Sequence, residues 1–335
     1  MDQGDAPLQV EKLNIRSVNR LADLLKIPAE KLLRIAPVYS PFEHVRRPRP
    51  FQRKPLSQAR RIDNPTEDLR WIQKRINRRL LAPICFPEHI MGAVRNRGVF
   101  DNAERHHGAS LLVTLDVKQC FPSITNKHIY AVWHDLLGCI PPVASLLTRL
   151  TTVDRHLPQG AATSPLLANL FIWKIDEPIR EACQRLGLTY STWIDDLAFS
   201  GEHARDVIQI AIATLRANGL RVSRKKKRIM GPRDPKVITG TRLGAQGIRA
   251  PREKLSRIRS GIHKFEAGMV TDERAEMYIK GLIGQLRFIH HLCPKDAARH
   301  AGALRTALRS RFLSESDREF LSDLEKPKRV QRKVG

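Results

Sequence analysis

Two apolar stretches in the middle of the chain predict buried β-strands next to acidic residues. Residues 111–117 are almost continuously apolar, as is typical of a strand buried on both faces, and Asp116 lies at the end of this run. Residues 188–201 place β-branched and aromatic positions on both sides of the adjacent acids Asp195 and Asp196. This pattern predicts a short hairpin with the two acids at its turn.

Apolar residues at helical spacing predict that most of the remaining chain is helical. Near the N-terminus we expect one helix capped by Ser17 and a second from about Ala29 to Ile35. Further helices are expected after Pro65, over most of 126–156, from Pro165 to the closing Gly187 and over 207–215. Residues 253–320 show helical patterning throughout, so the C-terminal part of the chain is predicted to be all-helical.

The segment 157–165 contains the features of a helix start. Ser164 is the expected N-cap and Pro165 the expected first helical residue. Gln159 and Gly160 precede them and offer a side-chain amide and free backbone N–H groups, although an ordinary capped helix explains the same residues. Farther along, Pro178 is expected to kink or interrupt the helix.

Residues 39–65 combine many arginines with several prolines, which oppose regular structure. We therefore expect an extended or hairpin-like basic segment there. It could be an ordinary solvated charge run or a flap that contacts phosphate groups, and the charge of the whole chain favours the flap.

The chain of 335 residues carries a net charge of +25. This excess predicts a polyanionic partner, nucleic acid before a membrane surface, although a merely basic structural protein would show the same excess. Aromatic residues make up only 6% of the chain, so we expect phosphate contacts rather than base stacking to dominate binding. The 41% of hydrophobic residues predicts a globular protein.

The five cysteines are scattered and form no C-x-x-C pair, which argues against a disulfide scaffold or a zinc ribbon. His290, His291 and Cys293 cluster, but on a predicted amphipathic helix, where a metal site is not expected. The N-terminus lacks the pattern of a signal peptide, and no apolar run approaches membrane-spanning length. These features predict a reduced, cytoplasmic location without membrane contact.

The candidate chemistry lies in the three acids. An Asp-Asp pair alone is usually a solvated turn, but an acid at the end of a buried strand is costly unless it is paired or binds a metal. Asp116, Asp195 and Asp196 are therefore expected to converge and form a site for paired divalent cations.

Read in order, several segments of the chain together resemble a reverse transcriptase. They are residues 115–124, Gln159 to Pro165, Ile194-Asp195-Asp196 and the stretch from Gly219 to Lys227. The resemblance covers about residues 39–310 and is closest to the bacterial retron branch. Residues 102–106 resemble the Asn-Ala-x-x-His signature of that branch, and residues 238–240 resemble its Val-Thr-Gly element.

The resemblance implies an α+β fold of the right-hand polymerase type, with fingers, a palm built on an antiparallel sheet and a helical thumb. The implied domains are a helical lead-in (1–38), fingers with the basic flap and a helix (39–110), a palm with inserted fingers helices near 126–157 (111–248), an RNA-binding thumb (249–320) and a basic flexible tail (321–335).

Residue roles follow from the same resemblance. Two Mg²⁺ ions would be held by Asp116, Val117, Asp195 and Asp196, of which the three acids are catalytic. The incoming dNTP would be contacted by Arg60, Phe121, Gln159, Gly160 and Lys226. Among these, Phe121 is the expected steric gate against a ribose 2′-OH, and Lys226 the expected lysine near the leaving pyrophosphate. Nucleic acid would be contacted by Asn102, His106, Thr239 and Gly240.

The implied function is that of a bacterial retron-type RNA-directed DNA polymerase. Its partners would be a cognate noncoding RNA that serves as template and primer, the DNA product, dNTPs and a separate effector protein in phage defence. Departures from the family pattern at Cys120, Trp193 and Gly244, and the absence of a glycine turn in the flap, affect the subgroup but remove no metal ligand. Alternatives are another bacterial reverse transcriptase, of group II intron-like or abortive-infection type, and a catalytically silent RNA-binding protein.

Overall fold

The computed structural model of the chain describes residues 11–44, 60–244, 247–250, 252–270, 272–292, 297–298, 300–302, 304 and 315–325. The described chain divides into two compact units, the first ending at Asp234 and the second beginning at Pro235. The sequence placed the end of the palm at residue 248 instead. The assignment of segments to named domains stays a prediction.

The first unit begins with two helices and a hairpin. Their bounds are α1 Val18–Leu25, α2 Ala29–Arg34, β1 Tyr39–His44 and β2 Arg60–Pro65. Ser17 caps α1 as predicted, because its side chain accepts a hydrogen bond from the backbone N–H of Arg20 (3.0 Å). Strands β1 and β2 pair antiparallel, which confirms the hairpin-like reading of this segment; the tip of the expected basic flap, residues 45–59, lies outside the described residues.

Helices of the first unit surround a four-stranded antiparallel sheet whose order is β4-β5-β3-β6. The strands are β3 Leu112–Asp116, β4 Thr189–Trp193, β5 Asp196–Ser200 and β6 Arg228–Met230. The helices are α3 Glu67–Ile76, α4 Val99–Glu104, α5 Cys120–Ser123, α6 Asn126–Ala131, α7 Pro141–Thr151, α8 Ser164–Ile175, α9 Glu177–Arg185 and α10 Val207–Ala217. Short π-helical turns, Asn77–Leu81 and Val132–Leu136, follow α3 and α6.

A single apolar core joins the sheet to these helices. Phe199 of β5 and Trp133 after α6 are its largest fully buried side chains. Arginines attach the N-terminal helices to this core. The guanidinium of Arg149 donates to the carbonyls of Leu32, Leu33 and Ile35 at the end of α2 (3.0, 3.0 and 2.6 Å), where helix carbonyls otherwise lack partners.

One predicted helix start is wrong by one residue. Helix α8 begins at Ser164, so Thr163 is at the N-cap and Pro165 is the second helical residue. Ser164 does not cap the helix, because its hydroxyl donates to the carbonyl of Pro158 (2.6 Å). The interruption predicted at Pro178 is confirmed: α8 ends at Ile175, α9 begins at Glu177, and the buried Asp176 lies between them.

The second unit contains a small antiparallel sheet and helices. The strands are β7 Val237–Ile238, β8 Thr241–Gly244 and β9 Gly247–Arg249, and the helices are α11 Arg252–Glu266, α12 Asp272–Leu292 and α13 Glu315–Glu325. Helices α11 and α12 pack closely at Gly261, where a Cβ atom would lie 2.6 Å from Leu282 Cδ2. The helical character predicted for 253–320 is confirmed for these helices. Cys293 and residues 326–335 of the predicted basic tail lie outside the described residues, whereas residues 321–325, predicted as part of that flexible tail, are helical in α13. No helix in the described part of the chain is both long and apolar enough to span a membrane.

Candidate active site

The predicted hairpin with an acid pair at its turn is confirmed. Strands β4 and β5 pair so that Trp193 faces Asp196, which leaves Ile194 and Asp195 as the two turn residues. Ile194 has a φ of +59°, in the left-handed region that β-branched residues disfavour. A residue in this conformation persists only where its surroundings hold it in place.

The segment from His89 to Gly92 holds the turn. The backbone N–H of Thr192 donates to the carbonyl of His89 (2.7 Å), and the carbonyl of Thr192 accepts from Met91 (2.9 Å). Gly92 approaches the turn so closely that a Cβ atom on it would lie 2.7 Å from Ile194 N. Asn169 of α8 in turn donates to the carbonyl of Gly92 (2.6 Å). We call residues 89–92 the buttress of this turn. The sequence does not predict it, since its only local signal is Gly92.

Asp116 lies at the end of β3, and its Cα is opposite that of Asp196 in the neighbouring strand β5. The N–H of Val117 donates to the carbonyl of Asp195 (2.8 Å), and the carbonyl of Asp116 accepts from Ser223 N (2.8 Å). Backbone pairing therefore brings all three predicted acids to one end of the sheet. Asp116 is 7% exposed, Asp195 is partly buried and Asp196 is exposed.

The pKa values of Asp195 and Asp196 reflect first their loss of hydration and then the negative charges beside them. Burial, and then the charge of Asp116, raises the pKa of Asp195, while Lys226 and Arg60 act in the opposite direction. Although Asp196 as a whole residue is exposed, partial loss of hydration around its carboxyl group raises its pKa to about 6, and the charges of Asp195 and Asp116 add to this shift. The site thus carries more negative charge than its own cations offset.

Lys226 lies at the centre of this charge distribution. Its Nζ is 2.6 Å from Asp116 Oδ2, which makes it a direct ion-pair partner of one predicted metal ligand. The exposed run around it, Arg224, Lys225, Lys227 and Arg228, supplies further positive charge along the same segment. Its predicted position near a leaving pyrophosphate is not tested by this contact.

The donor atoms of the three acids suit a divalent cation that also binds substrate phosphates. The described residues hold no group of three or more His, Cys, Asp or Glu side chains arranged to hold a metal ion, so the three acids converge without forming a ready-made three-ligand site. The chemistry nevertheless fits Mg²⁺, which prefers one or two carboxylates plus substrate phosphates to an all-protein cage. The raised pKa values of Asp195 and Asp196 show that their negative charge is not fully compensated, and Lys226 pairs with Asp116. A bound cation would compensate the remaining charge. The buried Val117 has only its main-chain carbonyl to offer as a ligand.

Helix α5 begins beside the acids and positions Phe121. Burial raises the pKa of Cys120, and the charges of Asp195 and Asp116 raise it further, so this residue lies in their field. Phe121 follows it and is partly buried against the core. Phe121 thus directly follows a buried residue on which the charges of the acids act, and its predicted role as a gate is not tested by this position.

Arg60 lies on strand β2, and Gln159 and Gly160 lie against the same strand. Arg60 is exposed on β2, and its charge opposes the rise in the pKa of Asp195. Gln159 pairs with the other edge of the same strand, since its carbonyl accepts from Asp63 N (2.8 Å). Gly160 has a φ of +135° and lies against the β2 backbone, where a Cβ atom would lie 3.0 Å from the carbonyl oxygen of Asp63. Their predicted contacts with a nucleotide are not tested by these distances.

The prediction that Asn102 and His106 contact nucleic acid is contradicted by their burial, at 1% and 0% exposed. The two ring nitrogens of His106 lie 2.7 Å from Ser200 Oγ and 2.8 Å from Ser191 Oγ, so this histidine connects the loop after α4 to strands β5 and β4. Burial lowers the pKa of His106 to about 4, so it is neutral at pH 7. Its role is structural support of the sheet.

Thr239 and Gly240 form the turn between β7 and β8 in the second unit, with φ values of +45° and +75°. Both are partly exposed, and their predicted nucleic-acid contact stays a prediction.

Comparison with known proteins identifies the family. The family model described as reverse transcriptase (RNA-dependent DNA polymerase) matches residues 52–246. The retron Ec86 reverse transcriptase of Escherichia coli is 30% identical over 238 residues, covering 70% of this chain and 72% of the relative. The retron Se72 enzyme of Salmonella heidelberg is 31% identical over 143 residues, covering 43% of this chain and 38% of the relative. The retron Mx162 enzyme of Myxococcus xanthus is 28% identical over 275 residues, covering 70% and 55%.

Among solved structures, a telomerase from Candida albicans in complex with a fragment of telomeric RNA aligns with a TM-score of 0.48 and 9% identity, over 92% of this chain and 70% of that one. A likeness at this level carries no inference about function. The match of the family model to more than half of the chain, and the similarity to the Escherichia coli relative over most of both chains, confirm the α+β right-hand polymerase fold. The chain belongs to the reverse transcriptases, as an RNA-directed DNA polymerase of the bacterial retron type.

Proposed function

We propose that the chain copies a cognate structured noncoding RNA into a single-stranded DNA that remains joined to the RNA through a branch. The observation that carries the catalytic part of this proposal is the pairing of Asp116 opposite Asp196, with Asp195 in the adjoining turn. The similarity to several retron reverse transcriptases supports the RNA-linked product.

Members of this family use divalent metal ions. Here, Asp116 and Asp195 would be the main ligands of two Mg²⁺ ions, with Asp196 and the carbonyl of Val117 beside them. Such ions would supply positive charge that stabilises the negative charge developing on the attacking and leaving oxygens during nucleotidyl transfer. The excess negative charge of the three acids favours this occupancy, because a cation compensates both the lost hydration and the repulsion that raise the pKa of Asp195 and Asp196.

The side chains around the acids have distinct proposed tasks. The guanidinium of Arg60 binds the triphosphate of the incoming nucleotide, for which a forked, permanently charged donor is suited. Lys226 pairs with Asp116 in this structure. When the phosphates of the nucleotide enter, its flexible side chain would turn to them, because they are also anionic partners. Gln159 and Gly160 line the nucleotide through their amide and backbone groups.

Phe121 selects deoxynucleotides. Its ring follows a residue that lies in the field of the acids, and it is held by the core on its other side. A rigid aromatic ring next to the sugar excludes a 2′-OH by steric clash, which discriminates between substrates without adding an attractive contact.

The RNA partner and the biological role rest on the retron resemblance alone. Synthesis would start from the 2′-OH of an internal guanosine of the cognate RNA, with Thr239 and Gly240 contributing to RNA binding. Retron enzymes act in phage defence together with a separate effector protein, and we extend this role to the present chain as part of the proposal.

The test is the nucleic acid that copurifies when the gene is expressed with its flanking DNA. We expect a short, discrete DNA that is shortened or shifted by RNase and by a debranching enzyme, and that is absent from the Asp195→Asn variant. Unbranched DNA that is absent from the Asp195→Asn variant would support the polymerase activity but reject the branched retron product. DNA that is identical in the variant would reject synthesis by this chain.

A further inference from the structure

Asp63 is a buried acid that the catalytic scheme does not use. It lies in β2, is 1% exposed, and is one of few acids in a strongly basic region. A buried carboxylate is costly unless it is paired and hydrogen-bonded, so its partners show what it holds together.

The partners of Asp63 come from two separate parts of the chain. Within β2, Arg61 Nε donates to Asp63 Oδ1 (2.8 Å). From the segment before α8, the backbone N–H of Gln159 donates to Asp63 Oδ2 (3.0 Å), and His156 Nε2 lies 3.6 Å from the same oxygen. The main chain adds a further bond, because Asp63 N donates to the carbonyl of Gln159 (2.8 Å). Gln159 is thus held by both the backbone and the side chain of Asp63.

Arg61 extends the connection to a second point of the same segment. Its Nη2 lies 2.6 Å from Asp154 Oδ2, so one guanidinium bridges Asp63 and Asp154. Gly160 completes the contact, since its lack of a Cβ allows the segment to lie against Ile62 and Asp63. Residues 154–160 are therefore attached to β2 through side-chain, backbone and close-packing contacts.

The two joined segments are those proposed to contact the incoming nucleotide. Strand β2 carries Arg60, whose charge reaches Asp195, and the attached segment carries Gln159 and Gly160. The spacing between the triphosphate contact and the nucleotide-lining contact then depends on the bonds made by Asp63.

We propose that Asp63 is a positioning residue for the incoming dNTP: its carboxylate fixes Gln159 and Gly160 relative to Arg60 without itself touching the nucleotide. This inference rests on the proposed function. A ligand held by several groups binds tightly only when those groups are preorganised at a fixed spacing, so a short, doubly bonded connection is well suited to the task.

The experiment measures single-nucleotide incorporation of dTTP by the full-length protein on poly(rA) primed with oligo(dT), for wild type and Asp63→Asn. The carboxylate of Asp63 accepts hydrogen bonds from Arg61 Nε and from Gln159 N. In asparagine one of the two oxygens is replaced by an NH₂ group, which cannot accept, so one of these bonds is lost. We expect the KM for dTTP to rise about tenfold, as the loss of one bond to a buried group implies, while kcat and the KM for the primed template change less than about twofold.

Asp135→Asn is the matched control. Asp135 also joins two elements, because it pairs with Lys174 of α8 (3.3 Å) as well as with its neighbour His134 (2.9 Å), but it has no contact with β2 or residues 154–160 among those the structure describes. It should leave the KM for dTTP unchanged. If Asp63→Asn fails to fold by circular dichroism, Arg61→Gln removes the bridge from an exposed position and should raise the KM for dTTP in the same selective way.

A folded Asp63→Asn enzyme with a wild-type KM for dTTP would overturn the inference, and so would an equal loss in kcat and in both KM values. If wild type incorporates no dTTP, or no more than the Asp195→Asn variant, the proposed function is rejected instead. The two failures are therefore distinguishable.

Discussion

Three carboxylates at one end of the sheet carry negative charge that the neighbouring side chains offset only in part. Burial and mutual repulsion raise the pKa of both Asp195 and Asp196, and Lys226 neutralises Asp116 directly. In the protein without metal, the ionised acids therefore destabilise the fold that positions them. This is the expected state of a site whose function is to attract cations.

The pH dependence of stability follows from the pKa of Asp196. A carboxylate whose folded pKa of about 6 exceeds its ordinary value of 3.8 binds more protons in the folded state, so stability falls as pH rises between these values. In EDTA, Asp196→Asn should therefore unfold at a higher temperature than wild type at pH 7, with the difference vanishing near pH 4. Thermal unfolding from pH 4 to 8 measures this. A difference that does not change with pH would contradict the assignment.

Substitution of Phe121 tests the proposed gate. Phe121→Ala should increase incorporation of rNTPs relative to dNTPs by roughly tenfold to a hundredfold, because discrimination then lacks its steric element. Competition between UTP and dTTP on primed poly(rA) measures the ratio. Cys120→Ala, at the adjacent buried position, is the control and should keep the wild-type ratio.

At the scale of elements, the catalytic hairpin depends on a loop that is far away in sequence. The apolar alternation around Asp195 and Asp196 and the apolar run before Asp116 are local patterns, so the sequence predicted both strands and the convergence of their acids. The buttress 89–92, the His106 hydrogen bonds and the Asp63 connection all involve partners far apart in the chain. No local periodicity reports such contacts, so the sequence gives no signal for Asp63, and the nucleic-acid contact predicted for His106 rests on the family resemblance alone.

Gly92→Ala tests the buttress. The added Cβ would lie 2.7 Å from Ile194 N, so either the turn or the loop must shift, and kcat should fall by about tenfold to a hundredfold. Gly284→Ala in α12 is a suitable control because a Cβ there meets nothing within 4 Å. Single-turnover rates on primed poly(rA) measure both variants. A wild-type rate for Gly92→Ala would show that the loop does not position the acids.

At the scale of the whole molecule, the net charge of +25 and the family assignment point to the same partner. The composition predicts a polyanionic partner but does not say which polyanion. The ordered set of motifs indicates nucleic acid, because only their combination is specific to reverse transcriptases. The family model ends at residue 246 and the second unit begins at Pro235, so the assignment of residues 249–320 to a thumb stays a prediction.

The charge also predicts how binding responds to salt. If RNA is held mainly through phosphates, affinity should fall by roughly a thousandfold or more between about 50 and 200 mM salt, as for six to ten phosphate contacts. Binding of a structured RNA to the Asp195→Asn variant, which keeps the basic residues, measures this slope by fluorescence anisotropy. A nearly flat dependence would mean that stacking or shape, rather than charge, dominates recognition.

The central claim is that Asp116, Asp195 and Asp196 catalyse DNA synthesis on RNA. The most direct measurement is extension of oligo(dT) on poly(rA) with Mg²⁺ by wild type, Asp116→Asn and Asp195→Asn, each shown to be folded. We expect robust extension by wild type and a loss of about a thousandfold or more in both variants, comparable to removing the main electrostatic stabilisation of a transition state. Extension by Asp195→Asn at the wild-type rate would contradict the claim and favour an RNA-binding protein on a polymerase fold.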